Sequence, residues 1–373
     1  MKNILLVSHQ SDLSGGPISL YLLARGLDKS KYKVFYVVPS PGPILLRCKE
    51  AGIKTFVLEK KLSKNRLLRK LRRLRYPSKI LKFIEENKID LVHVNTIFSN
   101  FASIAGNKAG VPVVWHIRED LQDSKYDLIL KTVNQLSCKV IAISHWVKNV
   151  LTRIIPEEKI AVVHNGLDLD HFDPNMESKI REEFNISEDT QLIGIIGSIE
   201  GRKGVDFFIK AAAKIESIVP KTKFLIVGEP LFGQEEYLDK MKALVKEKDI
   251  EKAVIFCGTR QDIPQIIKAL DVVVVPSRSE PFGRVVIETM AMQKSVIASD
   301  CGGIPEIIEN GKSGVLFPVE DIDRLASDII SILENKDLAK RLGEGGRKRV
   351  EEKFSIAKHV KEIEKVYQSI LLS

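Results

Sequence analysis

The sequence predicts an α/β protein built from two doubly wound parallel sheets. Short apolar runs alternate with amphipathic stretches along the chain, a pattern typical of β-α-β units with helices on both faces of a sheet. The whole pattern then occurs a second time. The length of 373 residues agrees with two domains.

The apolar runs give the strands in chain order. Those of the first domain are Ile4–Val7, Val34–Val38, Leu91–Val94, Val111–Trp115, Val140–Ile143 and Ala161–Val163. Those of the second are Leu192–Ile196, Lys223–Val227, Val254–Phe256, Val272–Val275, Ser295–Ala298 and Val315–Leu316. Turn formers cluster between His164 and Pro174, so we expect domains at 1–172 and 173–355. The helical stretch 356–373 is expected to pack back on the first domain.

Composition excludes several classes of protein. No apolar run reaches the ~18 residues of a membrane span or resembles a signal-peptide core, so we expect a cytoplasmic protein. Four widely spaced cysteines, without C-x-x-C or regular histidine spacing, predict reduced thiols rather than a zinc site or a disulfide framework.

The net charge of +9 is unevenly distributed. Residues 1–170 hold 28 basic and 15 acidic side chains, whereas residues 171–373 hold 30 and 34. Ten of the basic residues, and no acidic one, lie between Lys60 and Lys79, where leucines recur at helical spacing. The segment is interpreted as a solvated helix, a contact with anionic lipid or, least well supported, a contact with nucleic acid.

The most informative element is S-R-S-E-P-F-G-R-V-V-I-E, Ser277 to Glu288. It predicts a loop that carries Glu280 and a helix that carries Glu288. The first turn of a helix offers unpaired N–H groups and partial positive charge, so Gly283, Arg284 and Val285 are predicted to bind a diphosphate. The two carboxylates would then accept hydrogen bonds from the hydroxyls of a sugar nucleotide.

Two other glycine-containing turns follow predicted strands. Ser14-Gly15-Gly16-Pro17 opens a helix, although it matches neither G-x-G-x-x-G nor a phosphate-binding P-loop, and the turn also suits a purely structural role. The segment Gly197–Gly204 carries Arg202 and Lys203, two cations for a diphosphate leaving group.

His116 follows a strand, beside the polar run Arg118–Asp120. A lone histidine is more often a satisfied polar residue than a catalyst, but its place at a strand exit favours function. His93, within an apolar run, is predicted to be core, and His145 is predicted to be a surface residue.

Two D-x-D sequences, Asp168–Asp170 and Asp321–Asp323, match a pattern that many metal-dependent sugar transferases use. The first lies in the interdomain turn and the second at a predicted helix N-cap, so both are interpreted as structural and no metal is expected.

These motifs together resemble the retaining glycosyltransferases of family 4, which have the GT-B fold of two Rossmann-like domains. The resemblance runs nearly end to end and is most specific between Glu280 and Glu288. Weaker motifs support it in the same order along the chain: Gly15-Gly16, His116, His164–Asp168, Lys203-Gly204, Phe256–Gly258 and Gly302–Glu306.

The resemblance implies a role for each motif. Glu288 would bind the donor ribose and Glu280 the transferred sugar, while Lys203 and the amides of Gly283–Val285 would hold the diphosphate beside Phe282. Gly15 and Gly16 would approach the donor from the first, acceptor-side domain, and His116 would face the transferred sugar. The backbone around Thr259 and Arg260 would contact the base.

One position departs from the family pattern. In the family an arginine commonly comes right after the glycine that lies several residues before the lysine-glycine pair, and here that position is Ser198. We expect Arg202 or Arg284 to compensate for the missing cation.

The implied reaction is transfer of a sugar from a nucleoside diphosphate to an acceptor hydroxyl with retention, without metal or cofactor, in glycan, polysaccharide or glycolipid synthesis. Similar enzymes are thought to use front-face departure and attack, in which catalysis rests on charge and geometry. A sugar-nucleotide epimerase and a binding protein with impaired activity remain alternatives. The acceptor is expected to be a sugar or lipid-linked, with Lys60–Lys79 as a contact to an anionic membrane surface and no nucleic-acid partner.

Overall fold

The structure is a computed structural model that describes residues 1–59, 74–231 and 233–372. It divides into two compact units. The first contains residues 1–166 together with the helical segment from Ile356 onwards, and the second contains residues 167–355.

The first unit has a seven-stranded parallel sheet in the order β3-β2-β1-β4-β5-β6-β7. Its strands are β1 Lys2–Val7, β2 Tyr32–Val38, β3 Lys54–Val57, β4 Leu91–Asn95, β5 Val113–Ile117, β6 Lys139–Ala142 and β7 Ile160–Val162. Its helices are α1 Gly15–Gly26, α2 Ile44–Glu50, α3 Tyr76–Glu86, α4 Asn100–Lys108, α5 Asp127–Leu136, α6 His145–Leu151 and α15 Ile356–Leu371. Short 3₁₀ helices lie at Ile97–Ser99, Ser124–Tyr126 and Glu157–Lys159.

The second unit has a six-stranded parallel sheet in the order β10-β9-β8-β11-β12-β13. Its strands are β8 Gln191–Ile196, β9 Thr222–Val227, β10 Val254–Gly258, β11 Val272–Val275, β12 Ser295–Ser299 and β13 Val315–Phe317. Its helices are α7 Ile180–Glu183, α8 Val205–Ile218, α9 Glu235–Glu247, α10 Ile263–Ala269, α11 Arg284–Ala291, α12 Ile304–Ile307, α13 Ile322–Glu334 and α14 Lys336–Lys353. A 3₁₀ helix, Gly201–Lys203, follows β8.

The predicted fold class is confirmed, with one strand missed. The central strands are buried on both faces because helices cover both sides of each parallel sheet, so they appear in the sequence as continuous apolar runs. Strand β3, Lys54–Val57, was not predicted. It lies at the sheet edge, is only four residues long and starts with two exposed polar residues, so it lacks an apolar run.

Each sheet has one position where the strand order changes direction. In the first sheet β1 lies between β2 and β4, and in the second β8 lies between β9 and β11. Ligands of open parallel sheets bind beyond the carboxyl ends of the strands at such positions. The β1/β4 and β8/β11 edges are therefore where functional residues are expected.

The basic segment predicted at Lys60–Lys79 lies largely outside the described residues, since its first fourteen positions, 60–73, are not described. Within the described part, Tyr76 begins α3 and donates its hydroxyl to Glu59 Oε1 at 2.9 Å. Across the described residues, no helix has both the length and the apolar character needed to cross a bilayer. All four cysteines are free thiols, as predicted.

Candidate functional site

The element Ser277–Glu288 forms the loop after β11 and the start of α11. The helix begins at Arg284, and Gly283 turns the chain into it with φ of +107°, a region that residues with a side chain rarely adopt. Glu280 therefore lies in the loop and Glu288 on the second helical turn, as predicted. Both glutamate residues are buried.

The Glu280 loop is held in place by a glycine pair after β12. The N–H of Gly303 donates to the carbonyl oxygen of Glu280 at 2.8 Å. A Cβ atom at Gly302 would lie 2.0 Å from that oxygen, and Gly302 has φ of +58°. Only glycine permits this approach, so the Glu280 backbone is fixed from the β12 side of the sheet.

Lys203 and Glu280 form an ion pair that joins the loops after β8 and β11. Lys203 Nζ lies 2.5 Å from Glu280 Oε2, and the two side chains are 20% and 11% exposed. The pair can form because β8 and β11 are neighbours and Lys203 ends the 3₁₀ helix in the loop after β8. Two motifs that are 77 residues apart in the sequence therefore meet.

Arg202 and Ser198 share one carboxylate. Arg202 Nη2 donates to Glu200 Oε1 at 2.9 Å, and Ser198 Oγ donates to the same oxygen at 2.7 Å. Arg202 Nη1 donates to the carbonyl oxygen of Ser279 at 2.9 Å and lies 3.8 Å from Glu280 Oε2. Arg202 thus links the β8 loop to the Glu280 loop, and the hydroxyl of Ser198 is engaged by Glu200.

Arg284 and Glu288 form a second ion pair along α11. Arg284 Nε donates to Glu288 Oε1 at 2.6 Å, across one helical turn. The neighbouring Phe282 is buried and packs edge-on against Phe354, with ring centroids 5.9 Å apart. Both glutamates of the element therefore have a cationic partner, and Phe282 anchors the loop in the core of the second unit.

A pocket of about 80 Å³ lies at the carboxyl ends of β8 and β11. This is the position where the strand order of the second sheet changes direction, so it is the expected ligand site of the unit. Six of the predicted residues line this pocket: Ser198, Lys203, Glu280, Gly283, Arg284 and Val285.

Thr259 and Arg260 lie elsewhere. They follow β10, which is two strands from β8 at the edge of the sheet. Arg260 Nη2 donates to Glu183 Oε2 at 2.8 Å and to Asp262 Oδ2 at 2.7 Å. Its side chain therefore braces the β10 loop against α7, and contact with a base stays a prediction for the backbone.

The second D-x-D sequence has a local structural role. Asp321 Oδ1 accepts a hydrogen bond from the N–H of Arg324 at 2.9 Å and caps α13, as predicted, while Asp323 pairs with Lys214. Within the described ranges, no group of three or more His, Cys, Asp or Glu side chains is arranged to hold a metal ion.

In the first unit, Gly15 and Gly16 begin α1 at the β1/β4 position. Asn95, the last residue of β4, donates from Nδ2 to the carbonyl oxygen of Gly16 at 3.3 Å. A Cβ at Gly16 would lie 3.1 Å from Cε1 of His9, so a larger residue would displace that ring. The helix start therefore packs closely against β4.

His116 lies near the carboxyl end of β5, opposite Asn95 of β4. Its ring is completely buried, and its Nδ1 lies 3.3 Å from Arg118 Nη2. Burial and the positive charge of Arg118 hold the pKa of His116 well below the ordinary value of 6.5. The ring is therefore neutral at pH 7, and its contact with a sugar stays a prediction.

Two further buried histidines adjoin His116. The His93 ring lies 5.3 Å from it and the His359 ring 6.1 Å from it. The Tyr367 hydroxyl contacts His93 Nδ1 at 2.7 Å, and His359 Nδ1 donates to the carbonyl oxygen of His164 at 2.7 Å. Burial lowers the pKa of His93 to about 3 and that of His359 to about 4. His93 is a core residue, as predicted, and His145 is exposed, as predicted.

Sequence reasoning missed Glu200, Asn95 and His359 as parts of these clusters, as well as Asn165, whose Oδ1 accepts a hydrogen bond from Arg118 Nη1. A usable signal existed for Asn95, because it ends a strand beside the change of direction in the first sheet. None existed for His359, which reaches the cluster from a helix more than 240 positions beyond His116.

Solved structures with the GT-B glycosyltransferase fold match the chain over almost its full length. HepE of Anabaena, solved with UDP and glucose, has a TM-score of 0.87 at 24% identity and covers 99% of this chain and 100% of its own. Sucrose-phosphate synthase of Thermosynechococcus elongatus has a TM-score of 0.82 at 21% identity, with full coverage of both chains. The fold is therefore GT-B.

Sequence comparison then gives the family. The model described as Glycosyltransferase Family 4 matches residues 13–171, and that described as Glycosyl transferases group 1 matches residues 176–349. Together the two models cover most of the chain, so the chain belongs to the glycosyltransferases that they describe.

Named relatives share only part of their length with the chain. N-acetyl-alpha-D-glucosaminyl L-malate synthase of Bacillus anthracis is 31% identical over 62% of this chain and 60% of its own. D-inositol 3-phosphate glycosyltransferase of Mycolicibacterium smegmatis is 33% identical over 48% and 41%. The aligned segment thus spans less than two thirds of either relative.

Proposed function

We propose that the protein transfers a sugar from a nucleoside diphosphate donor to an acceptor hydroxyl with retention of the anomeric configuration. The observation that carries this proposal is the meeting of Lys203, Glu280 and the Gly283–Val285 helix start at one pocket, at the β8/β11 position. Membership of the glycosyltransferase family and the UDP-glucose complex of HepE support it.

Donor binding is proposed to proceed by exchange of ionic partners. Without ligand, Lys203 neutralises Glu280 and Arg284 neutralises Glu288. A sugar nucleotide brings a diphosphate for the two cations and hydroxyls for the two carboxylates, so every buried charge keeps a partner. A bare diphosphate satisfies only the cations, which explains why the sugar and ribose hydroxyls would add to affinity.

The transfer step is proposed to depend on the leaving group and not on a covalent intermediate. Among the described residues, the carboxylate that lines the pocket is that of Glu280. Lys203 Nζ lies 2.5 Å from this carboxylate, and the ion pair weakens Glu280 as a nucleophile. The departing diphosphate would gain charge that Lys203, Arg284 and the first-turn N–H groups of α11 stabilise. Its oxygen would then take the proton from the acceptor hydroxyl on the same face of the sugar. Metal independence is part of this proposal, since protein cations supply the charge.

The first unit is proposed to serve the acceptor. Its basic character suits acceptors with negative charge, and the relatives' names give L-malate and D-inositol 3-phosphate as compounds to include in an acceptor panel. A lipid-linked sugar belongs in the same panel. Gly15, Gly16 and His116 remain the candidate residues of this unit.

The test is a transfer assay with UDP-, GDP-, ADP- and dTDP-sugars against that panel. Lys203→Ala and Glu280→Gln should each lower kcat/KM by about 100-fold or more, because each removes a group that meets developing charge or the transferred sugar. Lys242→Ala, on the exposed face of α9, is the matched control and should behave like the unchanged protein. Full turnover in both site variants, with circular dichroism showing an intact fold, would contradict the proposal.

An epimerase and a binding protein would each give a different result in that assay. An epimerase would change the donor sugar without any acceptor. A binding protein would retain the nucleotide without turnover, an alternative suggested by Ser198 at the position where the family commonly has arginine. Product analysis separates all three.

Attachment to an anionic membrane surface through Lys60–Lys79 is proposed on sequence alone. Co-sedimentation with vesicles containing anionic lipid should exceed that with neutral vesicles and should fall as salt is raised, because exposed charges are screened over roughly 10 Å at 0.1 M. Equal recovery with both kinds of vesicle would exclude it.

A further inference from the structure

Arg278 lies in the loop after β11 and contacts the turn that carries Lys203. Its backbone N–H donates to the carbonyl oxygen of Arg202 at 2.8 Å, and its Nη1 donates to the carbonyl oxygen of Gly201 at 2.5 Å. Both carbonyl groups belong to the 3₁₀ helix that ends at Lys203. One residue of the β11 loop therefore binds this turn through its backbone and through its side chain.

The guanidinium of Arg278 is fixed from a second direction by Asp206. Its Nη1 and Nη2 donate to the two carboxylate oxygens of Asp206, each at 2.9 Å, and its Nε donates to Glu320 Oε1 at 3.0 Å. Asp206 lies in the first turn of α8, where a negative charge is favoured by the partial positive charge of the helix start. A bidentate pair of this kind sets the plane of the guanidinium.

Two aromatic side chains complete the surroundings of the Arg278–Asp206 pair. The centroid of the Phe207 ring lies 3.9 Å from Cζ of Arg278, and the Tyr237 hydroxyl donates to Asp206 Oδ1 at 3.2 Å. Burial alone would raise the pKa of Asp206, but the hydrogen bonds and the charge of Arg278 outweigh burial and hold that pKa below its ordinary value. The ion pair is therefore present at neutral pH.

The turn and the β11 loop meet again at the pocket. Lys203 reaches Glu280, two residues beyond Arg278, at 2.5 Å. A Cβ atom at Gly204 would lie 1.9 Å from the carbonyl oxygen of Pro276, so the two segments also pack directly against each other. Arg278 is not among the described residues that line the pocket, and its three nitrogens all have acceptors. Any effect of Arg278 on a ligand must therefore pass through the residues that it contacts.

We infer that Arg278 is a positioning residue, which fixes the turn so that the ammonium of Lys203 lies where the diphosphate of a sugar nucleotide binds. The identity of that ligand rests on the proposed function, whereas the effect of Arg278 on Lys203 does not. A lysine side chain is long and flexible, and its charge stabilises a leaving group only when it is held in place before the reaction. Loss of Arg278 leaves the charge in the protein but releases the turn that directs it.

The link between Arg278 and Lys203 can be measured without any ligand. Protein labelled with ¹³C at the lysine Cε position gives a signal for Lys203 that Lys203→Arg identifies. We expect this signal to move in Arg278→Met, as it should in Glu280→Gln, because both changes disturb the ion pair. Arg324→Met is the matched control, since Arg324 also binds an aspartate, Asp328, on the exposed face of α13. An unaltered Lys203 signal in Arg278→Met would overturn the inference.

A double-mutant cycle with Lys203→Ala separates positioning from a general loss of structure. In calorimetric titrations with UDP, Arg278→Met should weaken binding by about tenfold in the unchanged background and by less than about twofold in the Lys203→Ala background. The reason is that its effect passes through the ammonium, whereas independent effects would add. Unchanged affinity in Arg278→Met, or an equal loss in both backgrounds, would overturn the inference.

Arg278→Lys provides the conservative variant. It keeps a positive charge beside Asp206 but not the bidentate contact, so it should recover part of the UDP affinity, and it serves if the methionine variant does not fold. Absence of nucleotide binding in the unchanged protein would count against the proposed function. The Lys203 signal would still decide whether Arg278 positions that side chain.

Discussion

Lys203 Nζ and Glu280 Oε2 lie 2.5 Å apart, although the two residues belong to loops that leave different strands. Arg284 and Glu288 repeat the arrangement on α11. Lys203, Glu280 and Arg284 all line one pocket, and each of them has an ionic partner of opposite charge.

Arg284 is predicted to supply the diphosphate cation that Ser198 lacks. Both arginines have a carboxylate partner, Glu288 for Arg284 and Glu200 for Arg202, but of the two it is Arg284 that lines the pocket. Arg284→Met should weaken UDP binding by about tenfold, since a charge-assisted hydrogen bond is lost. Ser198→Arg should strengthen binding, and the double variant should return toward the affinity of the unchanged protein. Calorimetric titration with UDP measures all three.

Arg341→Met, on the exposed face of α14, is the control for loss of an arginine. If Arg284→Met binds UDP normally while Arg202→Met does not, the compensating cation is Arg202. If neither changes the affinity, no compensation takes place.

Gly302→Ala is predicted to disable the site, because its Cβ would lie 2.0 Å from the carbonyl oxygen of Glu280. Relief of that contact must move the Glu280 loop, so UDP-glucose binding should fall by about tenfold or more. Gly311→Ala is the matched control, with φ of +75° and no atom within 4 Å of the new Cβ. It carries similar backbone strain without the clash. Equal affinities for the two variants would show that the loop tolerates displacement.

Arg260→Met is predicted to lower the thermal stability of the protein and to leave donor affinity within about twofold of normal. Its guanidinium is committed to Glu183 and Asp262, while any contact with the base is expected from the backbone. Differential scanning fluorimetry and UDP titration measure the two effects separately. A tenfold loss of affinity at unchanged stability would instead assign the side chain to base binding.

Acid is predicted to destabilise the protein through the buried histidines. The pKa values of His93 and His359 are lowered to about 3 and about 4 in the folded state, and that of His116 is also lowered. The unfolded chain binds protons below about pH 6.5 and the native state does not, so stability is full above that pH and falls as pH drops toward 4. His93 and His359 each contribute about 2 kcal/mol of loss at pH 5.

Urea unfolding at pH 7.5 and pH 5 tests this prediction. His93→Gln should reduce the pH dependence of the free energy of unfolding by about the contribution of one histidine. His145→Gln, at an exposed position, should leave it unchanged. A His93→Gln profile parallel to that of the unchanged protein would show that the ring is protonated in the native state.

The features that could be predicted from the sequence alone are those that a local pattern of residues determines. Buried strands such as β11, four consecutive valines, were predictable because burial on both faces requires continuous apolar runs. The placement of Glu280 in a loop and Glu288 in a helix followed from the glycine before Arg284. Strand β3 was missed because an exposed edge strand needs no apolar run.

The sequence alone could not predict which side chains contact each other, for a different reason. That Ser198 and Arg202 share Glu200 depends on the path of the loop after β8, and that His359 stacks near His116 depends on where α15 packs. Local propensity carries no information about either.

Helix α15 has a consequence for biosynthesis. Val360, Ile363, Val366 and Tyr367 belong to the same apolar core as β1 and α1, yet the ribosome makes them after the whole of residues 167–355. The second unit can complete its core during translation, whereas the first must wait with an open flank until α15 emerges. In the cell, the unit that is synthesised first should therefore be the last to complete its fold. Chaperones that bind nascent chains should stay bound to this unit for longer than to the second.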